Sequence, residues 1–475
     1  MARREDRHRL REMLRPGRQP ARDSDHARPC HRRPAFTRQS AAALPAGPRA
    51  GHAEMTVAPR RGNAPAPGGK TGRGPLTGIR VLDFSHAAAA PFATMFLGDM
   101  GAEVIKIEKP RGGDGARTMG LPMPMLGPKD SEYYVALNRN KKGIVIDLAV
   151  PEGADLARRM AAKSDIVVEN FRPGVMQRLG LGFDDLKKLR PGLIYCSISA
   201  FGASGPWSER PANDIIMQSV SGLMGITGEV GGGPVRIGAP IADFSSGLFA
   251  LSGVLAALHA RELHPEGQHV EIAMLDAALN MMSNYIPSVT TLGYQVPRLG
   301  RGHAQIVPYQ AFACSDGQYV MVGAFTRGFW QNLVGALGHE DWLTDPRFAT
   351  NAARLANRAL LAGELERIFA ARPSADWLKV LEKADVPCSP VLELHEAVRS
   401  EQVRHNASLM AMGEPGKQYE VVRSPIRVAE WNSAPATPAP TLGADTASVL
   451  RELLGLASNE IDALAANDVI RMPRS

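Results

Sequence analysis

Cysteine is scarce: four in 475 residues, at Cys30, Cys196, Cys314 and Cys388, with no C-x-x-C and no histidine at ligand spacing. That argues against a zinc site or a disulfide frame, and the compartment expected is a reducing cytoplasm. Long apolar runs are missing too. The longest, near 247–258, is broken by Ser and Gly and reads as too short to span a bilayer, so no membrane association is expected. No apolar stretch follows the basic N-terminus, and no secretory signal is expected there. Outside that N-terminus the chain also lacks an excess of positive charge. Residues 1–74 hold 17 Lys+Arg against 6 Asp+Glu, while the remainder holds 38 against 42. The formal net charge of +7 is therefore a property of the tail, and a nucleic-acid partner is not expected.

What remains is the composition of a globular protein, 44% hydrophobic and 22% charged, long enough for two or three domains. Residues 1–74, rich in Arg, Pro, Gly and Ala without an apolar period, read as a disordered extension without catalytic role. A start placed upstream of Met55, a basic arm and a transit peptide compete to explain it, and the acids in its first 25 residues argue against the last. Order begins at Leu76. Strands are expected over 80–85 (RVLDFS), 103–108 (EVIKIE), 143–148 (GIVIDL), 165–169 (DIVVE) and 193–199, alternating with helical segments, the first at 91–100. This is a Rossmann-like, doubly wound α/β pattern. The first turn, 86–91 (HAAAAP), has no G-x-G-x-x-G, which removes the dinucleotide reading and leaves the architecture. Ligands of such sheets lie beyond the strand C-terminal ends, which singles out 85–90, 109–114, 170–174 and 201–214.

The stretch 234–261 (PVRIGAPIADFSSGLFALSGVLAALHAR) places one carboxylate, Asp243, at the mouth of a helix whose apolar run leaves no face for water. Asp243 or Ser245 could cap that helix; alternatively Asp243 is a reactive acid, which the helix dipole would keep ionised. A strand at 268–273 and a helix at 274–284 follow, then a loop-like 285–308 and an antiparallel pair at 309–314 and 318–323. The expected organisation is a large domain over 75–290, a smaller α+β domain over 300–385 and a return to the large domain over 390–470. In that return a Pro-rich surface linker, 434–440, precedes an amphipathic helix at 446–465.

Taken together, 78–108, 138–153, 168–174 (VENFRPG), 205–228, 238–247 (GAPIADFSSG), 267–276, 301–317 and 386–391 (VPCSPV) resemble the family III, CaiB/BaiF-type, CoA-transferases. The resemblance runs in order from about 75 to 470. It implies that fold, with Asp243 as the nucleophile that takes the acyl group from acyl-CoA and passes through a covalent aspartyl intermediate to a small carboxylic acid. It further implies CoA contacts at Lys109, Ile146, Asn170, Phe171 and Arg178, a supporting acid at Asp214, and His86 and His303 near the acyl pocket. Ala149 stands where some relatives carry a lysine, and Ala88 where the formyl-CoA and oxalate enzymes carry a glutamine, so formate–oxalate exchange is not implied. Acyl-CoA enters as substrate, with no permanently bound cofactor and no metal, and the expected assembly is an interlocked homodimer. Two rivals remain: an α-methylacyl-CoA racemase of the same fold, and a non-catalytic CoA-binding or nucleotide-sensing Rossmann protein. The racemase would need a histidine directly before Asp214, where this chain has Asn213, whose amide cannot exchange a proton near pH 7.

Overall fold

The computed structural model of the chain describes residues 74–123, 130–428, 431 and 436–473. The extension expected over 1–74 lies, but for Gly74, outside the described residues. Six parallel strands form the main sheet: β1 (Arg80–Asp83), β2 (Glu103–Glu108), β3 (Lys141–Ile146), β4 (Ile166–Glu169), β5 (Ile194–Ser199) and β6 (Gln268–Ala273). A second sheet is antiparallel, with β7 (Tyr309–Ala313) and β9 (Cys388–Pro390) flanking β8 (Tyr319–Gly323). A two-stranded ribbon pairs β10 (Leu409–Met412) with β11 (Tyr419–Val422). Finally β12 (Ile470–Arg471) adds an antiparallel edge to the main sheet, whose order is β12-β3-β2-β1-β4-β5-β6.

The inner strands are buried on both faces: β4 carries an unbroken Ile-Val-Val run, while β1 and β2 also bury Asp83, Lys106 and Glu108, each in an ion pair. The chain winds outward from β1 to β3 and then returns to lay β4 on the other side of β1. That reversal is the topological switch point of a doubly wound sheet, where the loops after β1 and β4 diverge and leave a crevice.

One face of the sheet is covered by helices α1 (Ala89–Asp99), α3 (Asp214–Val220), α4 (Ile241–Arg261) and α5 (Met274–Asn280). The other is covered by α2 (Pro151–Ala161), α7 (Thr446–Leu454) and α8 (Ser458–Ala466). Val449, Leu450 and Leu453 bind the C-terminal return into this second core, each burial worth roughly 1.5–3 kcal/mol. A third core, from Val307 to Val386, lies on the antiparallel sheet and includes Trp330, Phe369 and Trp377.

The α1–α4 contact fixes the helix that carries Asp243. Phe92 stacks on Phe244 with ring centroids 4.4 Å apart. Gly247 meets α1 so closely that a Cβ there would stand 2.5 Å from the Ala89 carbonyl oxygen, so only glycine fits.

Several sequence expectations need correction. Helix α4 is 21 residues long, enough by length and apolar composition to cross a membrane, and it is not buried on every side. Leu248 is 49% exposed and Phe249 is 37% exposed, because a uniformly apolar sequence does not reveal which side lacks a neighbour. The segment after α5 is not all loop: α6 (Ile286–Leu292) occupies part of it, and its C-terminus is set by Gly293 in the left-handed region. The C-terminal helix is two helices, parted where Gly455 turns left-handed. Strand β3 starts and ends two residues before its expected place. Of the Pro-rich stretch, 434–435 lies outside the described residues. The rest is docked rather than free: the Thr437 backbone N–H donates to Asn140 Oδ1 at 2.7 Å, and the Pro440 carbonyl accepts from Arg117.

Candidate active site

Two cavities open at the switch point. The first, of about 770 Å³, is lined by His86, Tyr133, Asn170, Arg172, Asn213, Asp214, Arg236 and Asp243, among others. The second, of about 570 Å³, is lined by Ile107, Lys109, Ile146, Ala149 and Leu179. His86 and Phe171 line both. Their rings, with centroids 5.2 Å apart, form the wall between the two spaces. All four stretches singled out by the strand-end rule contribute to these walls.

Asp243 is the third residue of α4, so it does not cap that helix: the N-cap is Pro240, and no side chain of that segment serves. The cap comes from elsewhere in the chain. Asp214 Oδ1 accepts from the Ala242 backbone N–H at 2.8 Å and from that of Asp243 at 3.4 Å, while Oδ2 accepts from Gln218 at 2.7 Å. Asp214 is not the cap of its own helix either, since Asn213 Oδ1 accepts from the Ile216 N–H. The supporting acid thus satisfies the orphan donors of the reactive helix, freeing the Asp243 carboxylate from that task. Among the described residues nothing hydrogen-bonds or ion-pairs with that carboxylate, and it faces the first cavity.

Burial, and then the neighbouring Asp214 carboxylate, push the Asp243 pKa up to about 7. The expectation that the helix dipole keeps it ionised is therefore reversed. Lifting a carboxyl from its ordinary value to about 7 costs its anion about 4 kcal/mol. A helix N-terminus returns only about 0.3–1 kcal/mol. Tyr133 lies within the field of both acids, and burial, Asp243 and Asp214 raise its phenol to about 12. Partial desolvation lowers the His86 pKa, which favours the neutral ring.

The other predicted contacts divide. Lys109 is exposed at the second cavity, with no ion-pair partner among the described residues, and Ile146 forms part of that cavity's apolar wall. Phe171 lines both cavities, and Asn170 the first. Arg178 is not brought in: it is exposed at the end of the short helix Val175–Arg178 and lines neither cavity. His303 lines neither cavity; its ring stacks on Tyr309. Sequence reasoning missed Tyr133, Arg172, Arg210 and Arg236. Arg172 and Arg210 fall inside strand-end stretches it had marked, and Arg236 inside the stretch 234–261 that carries Asp243, whereas Tyr133 carried no local signal. Among the described residues no cluster of His, Cys, Asp or Glu could hold a metal ion.

An arrangement of one unpaired carboxylate facing a cavity that shares a wall with a second, cation-edged one suits acyl transfer from a long thioester. Comparison with known proteins agrees. The family described as CoA-transferase family III matches residues 76–446. The chain is 36% identical to a succinyl-CoA:glutarate CoA-transferase of Mus musculus, over 83% of this chain and 90% of that one. It is 35% identical to an acetyl-CoA:oxalate CoA-transferase of Acetobacter aceti, over 80% and 96%. Among solved structures it resembles a CAIB/BAIF family protein from Brucella suis, with TM-score 0.72 and 34% identity, covering 80% of this chain and all of that one. The chain therefore belongs to CoA-transferase family III and is an acyl-CoA:carboxylate CoA-transferase.

Proposed function

We propose that Asp243 carries the acyl group and then CoA between donor and acceptor acids, and that the acceptors are small dicarboxylic acids. The single observation behind the first part is the Asp243 carboxylate itself, without a partner among the described residues and facing the first cavity. One carboxylate oxygen attacks the thioester carbonyl, the C–S bond breaks and CoA leaves as thiolate, giving a mixed anhydride. The thiolate attacks the Asp243 carbonyl of that anhydride, releasing the donor acid and leaving an aspartyl-CoA thioester. The acceptor carboxylate repeats the sequence in reverse: it displaces the thiolate, which then attacks the acceptor carbonyl and frees Asp243. Water must stay out while the anhydride exists.

In this reading the second cavity takes the nucleotide end of CoA. Ile107 and Ile146 offer apolar surface there, and Lys109 supplies a cation for phosphate. The thioester arm passes the His86–Phe171 wall to reach Asp243. Support for dicarboxylic acceptors comes from the relatives named for glutarate and oxalate and from Arg172, Arg210 and Arg236 around the first cavity, none of them ion-paired among the described residues. The racemase alternative is disfavoured by Asn213, whose amide occupies the relay position and is engaged as a helix cap. Incubating enzyme with a 2-methylacyl-CoA in deuterium oxide decides between them. CoA should move to an added diacid with the α-proton retained; α-deuteration with inversion, and no transfer, would contradict the proposal.

The interlocked homodimer belongs to the same reading. Apolar side chains left uncovered on α4 and α6, among them Leu248, Phe249 and Leu292 at 77% exposure, would be buried by a second copy. Interlocked chains cannot separate without unfolding. Sedimentation across a wide dilution range should show a dimer throughout, and a folded monomer at low concentration would refute the interlock.

A further inference from the structure

The loop between β1 and α1 carries an unusual density of restraint. The Ser85 N–H donates to Asp83 Oδ1 at 2.9 Å, and the Ser85 carbonyl accepts from Lys106 Nζ at 2.6 Å. The Ala87 N–H donates to Asp114 Oδ1 at 3.0 Å. Lys106 and Asp114 are themselves a buried pair at 2.9 Å, so neither end of this brace is free to move into water. Between these ties stands His86, whose backbone is held at both polar atoms by one side chain. Its N–H donates to Asn170 Oδ1 at 2.9 Å, and its carbonyl accepts from Asn170 Nδ2 at 2.9 Å.

This clamp crosses the switch point, joining the loop after β1 to the turn after β4. Asn170 is itself placed by the next residue: the Phe171 N–H donates to Glu169 Oε2 at 2.8 Å. The clamp also holds a conformation the loop would not keep unaided. Ala87 has φ 62°, a left-handed backbone that costs a non-glycine residue roughly 1–2 kcal/mol and persists only where neighbours enforce it. The residues so held, His86 to Ala89, line the first cavity opposite Asp243, and His86 with Phe171 forms the wall between the cavities.

We propose that the Asn170 side chain is a positioning group of the transfer reaction. Its amide closes the switch point by pinning His86, so that the loop His86–Ala89 presents the thioester to Asp243 in one geometry. The inference rests on the transferase reading above. Both amide atoms already have partners, which leaves one N–H on Nδ2 and one lone pair on Oδ1, so any ligand contact of the side chain would be made beside the clamp and not in place of it.

The test uses the full-length enzyme and Asn170→Ala, with three readouts. Hydrogen exchange of the peptide spanning 84–90 should become at least about tenfold faster, since the loop loses two of its ties. kcat with acyl-CoA and a diacid should fall about 10- to 100-fold, as expected for a lost orientation. KM for acyl-CoA, and Kd for CoA by calorimetry, should stay within about threefold of wild type, because binding energy resides elsewhere. Asn170→Asp keeps the acceptor for the His86 N–H and loses the donor, so its exchange rate and kcat should fall between those of wild type and Asn170→Ala. Weakening of Kd by tenfold or more with kcat retained would make Asn170 a ligand and overturn the proposal. So would unchanged exchange of the loop. A wild-type enzyme that transfers CoA to no acid would refute the transferase reading, whereas the exchange result stands independently of turnover.

Discussion

Asp243→Ala is expected to lose at least about four orders of magnitude in kcat while binding CoA and melting much as the wild type does. The size follows from the route. A covalent path has no substitute once its nucleophile is gone, and the other acid in the cavity, Asp214, is committed to the α4 backbone and Gln218. Folding should survive, because the Asp243 carboxylate supports no hydrogen bond or ion pair among the described residues. Turnover within tenfold of wild type in the Asp243→Ala enzyme would show that another group carries the acyl chain.

The second large effect is a pH dependence. Only the Asp243 carboxylate is nucleophilic, and its pKa is about 7. The ionised fraction at pH 5 is then about one per cent, so kcat/KM should rise about a hundredfold from pH 5 to a plateau near pH 8. Asp214→Asn removes the like charge, the smaller of the two causes, and should move the rising limb to lower pH. Stability runs the opposite way. A carboxyl whose folded pKa is raised binds its proton more tightly when folded, so the folded state is favoured below the unfolded value near 4. That advantage is lost as pH rises through about 7. Asp243→Asn, which never ionises, should therefore be more stable than wild type at pH 8 by about 2–4 kcal/mol. The gain should vanish toward pH 4. A rate profile flat from pH 5 to 8 would mean that Asp243 is ionised throughout that range, and would contradict a pKa raised to about 7.

Such a trade, activity gained at the expense of stability, explains why the most informative position was also the hardest to read from sequence. Asp243 stood out because it follows a Gly-Ala-Pro turn and opens an apolar helix, both local features. What its carboxylate does depends on Asp214, which lies 29 residues away and reaches it only after α3 folds against α4. The clamp on His86 is more distant still, since Asn170 is 84 residues along the chain and paired with His86 only because β4 returns beside β1. By contrast, each of the four stretches that the strand-end rule marked contributes to the cavity walls, because the rule depends on strand order and direction alone; it passed over the loop after β3, where Asp147 to Ala149 line the second cavity. Arg178 lies outside both cavity walls for a complementary reason: a basic residue on a short helix can point either way, and here it is exposed. Strand β12 is two residues long, too short to leave a pattern, and the exposed side of α4 is invisible in a sequence that is apolar all round.

The central claim is the covalent role of Asp243, and mass spectrometry of the trapped enzyme tests it most directly. Wild-type protein is mixed with an acyl-CoA donor in the absence of acceptor, treated with hydroxylamine or borohydride, digested and sequenced. The account predicts a hydroxamate or alcohol on the peptide that contains Asp243, at that residue, in an amount that depends on the donor. Modification at any other carboxylate, or transfer proceeding with Asp243 unmodified, would contradict it.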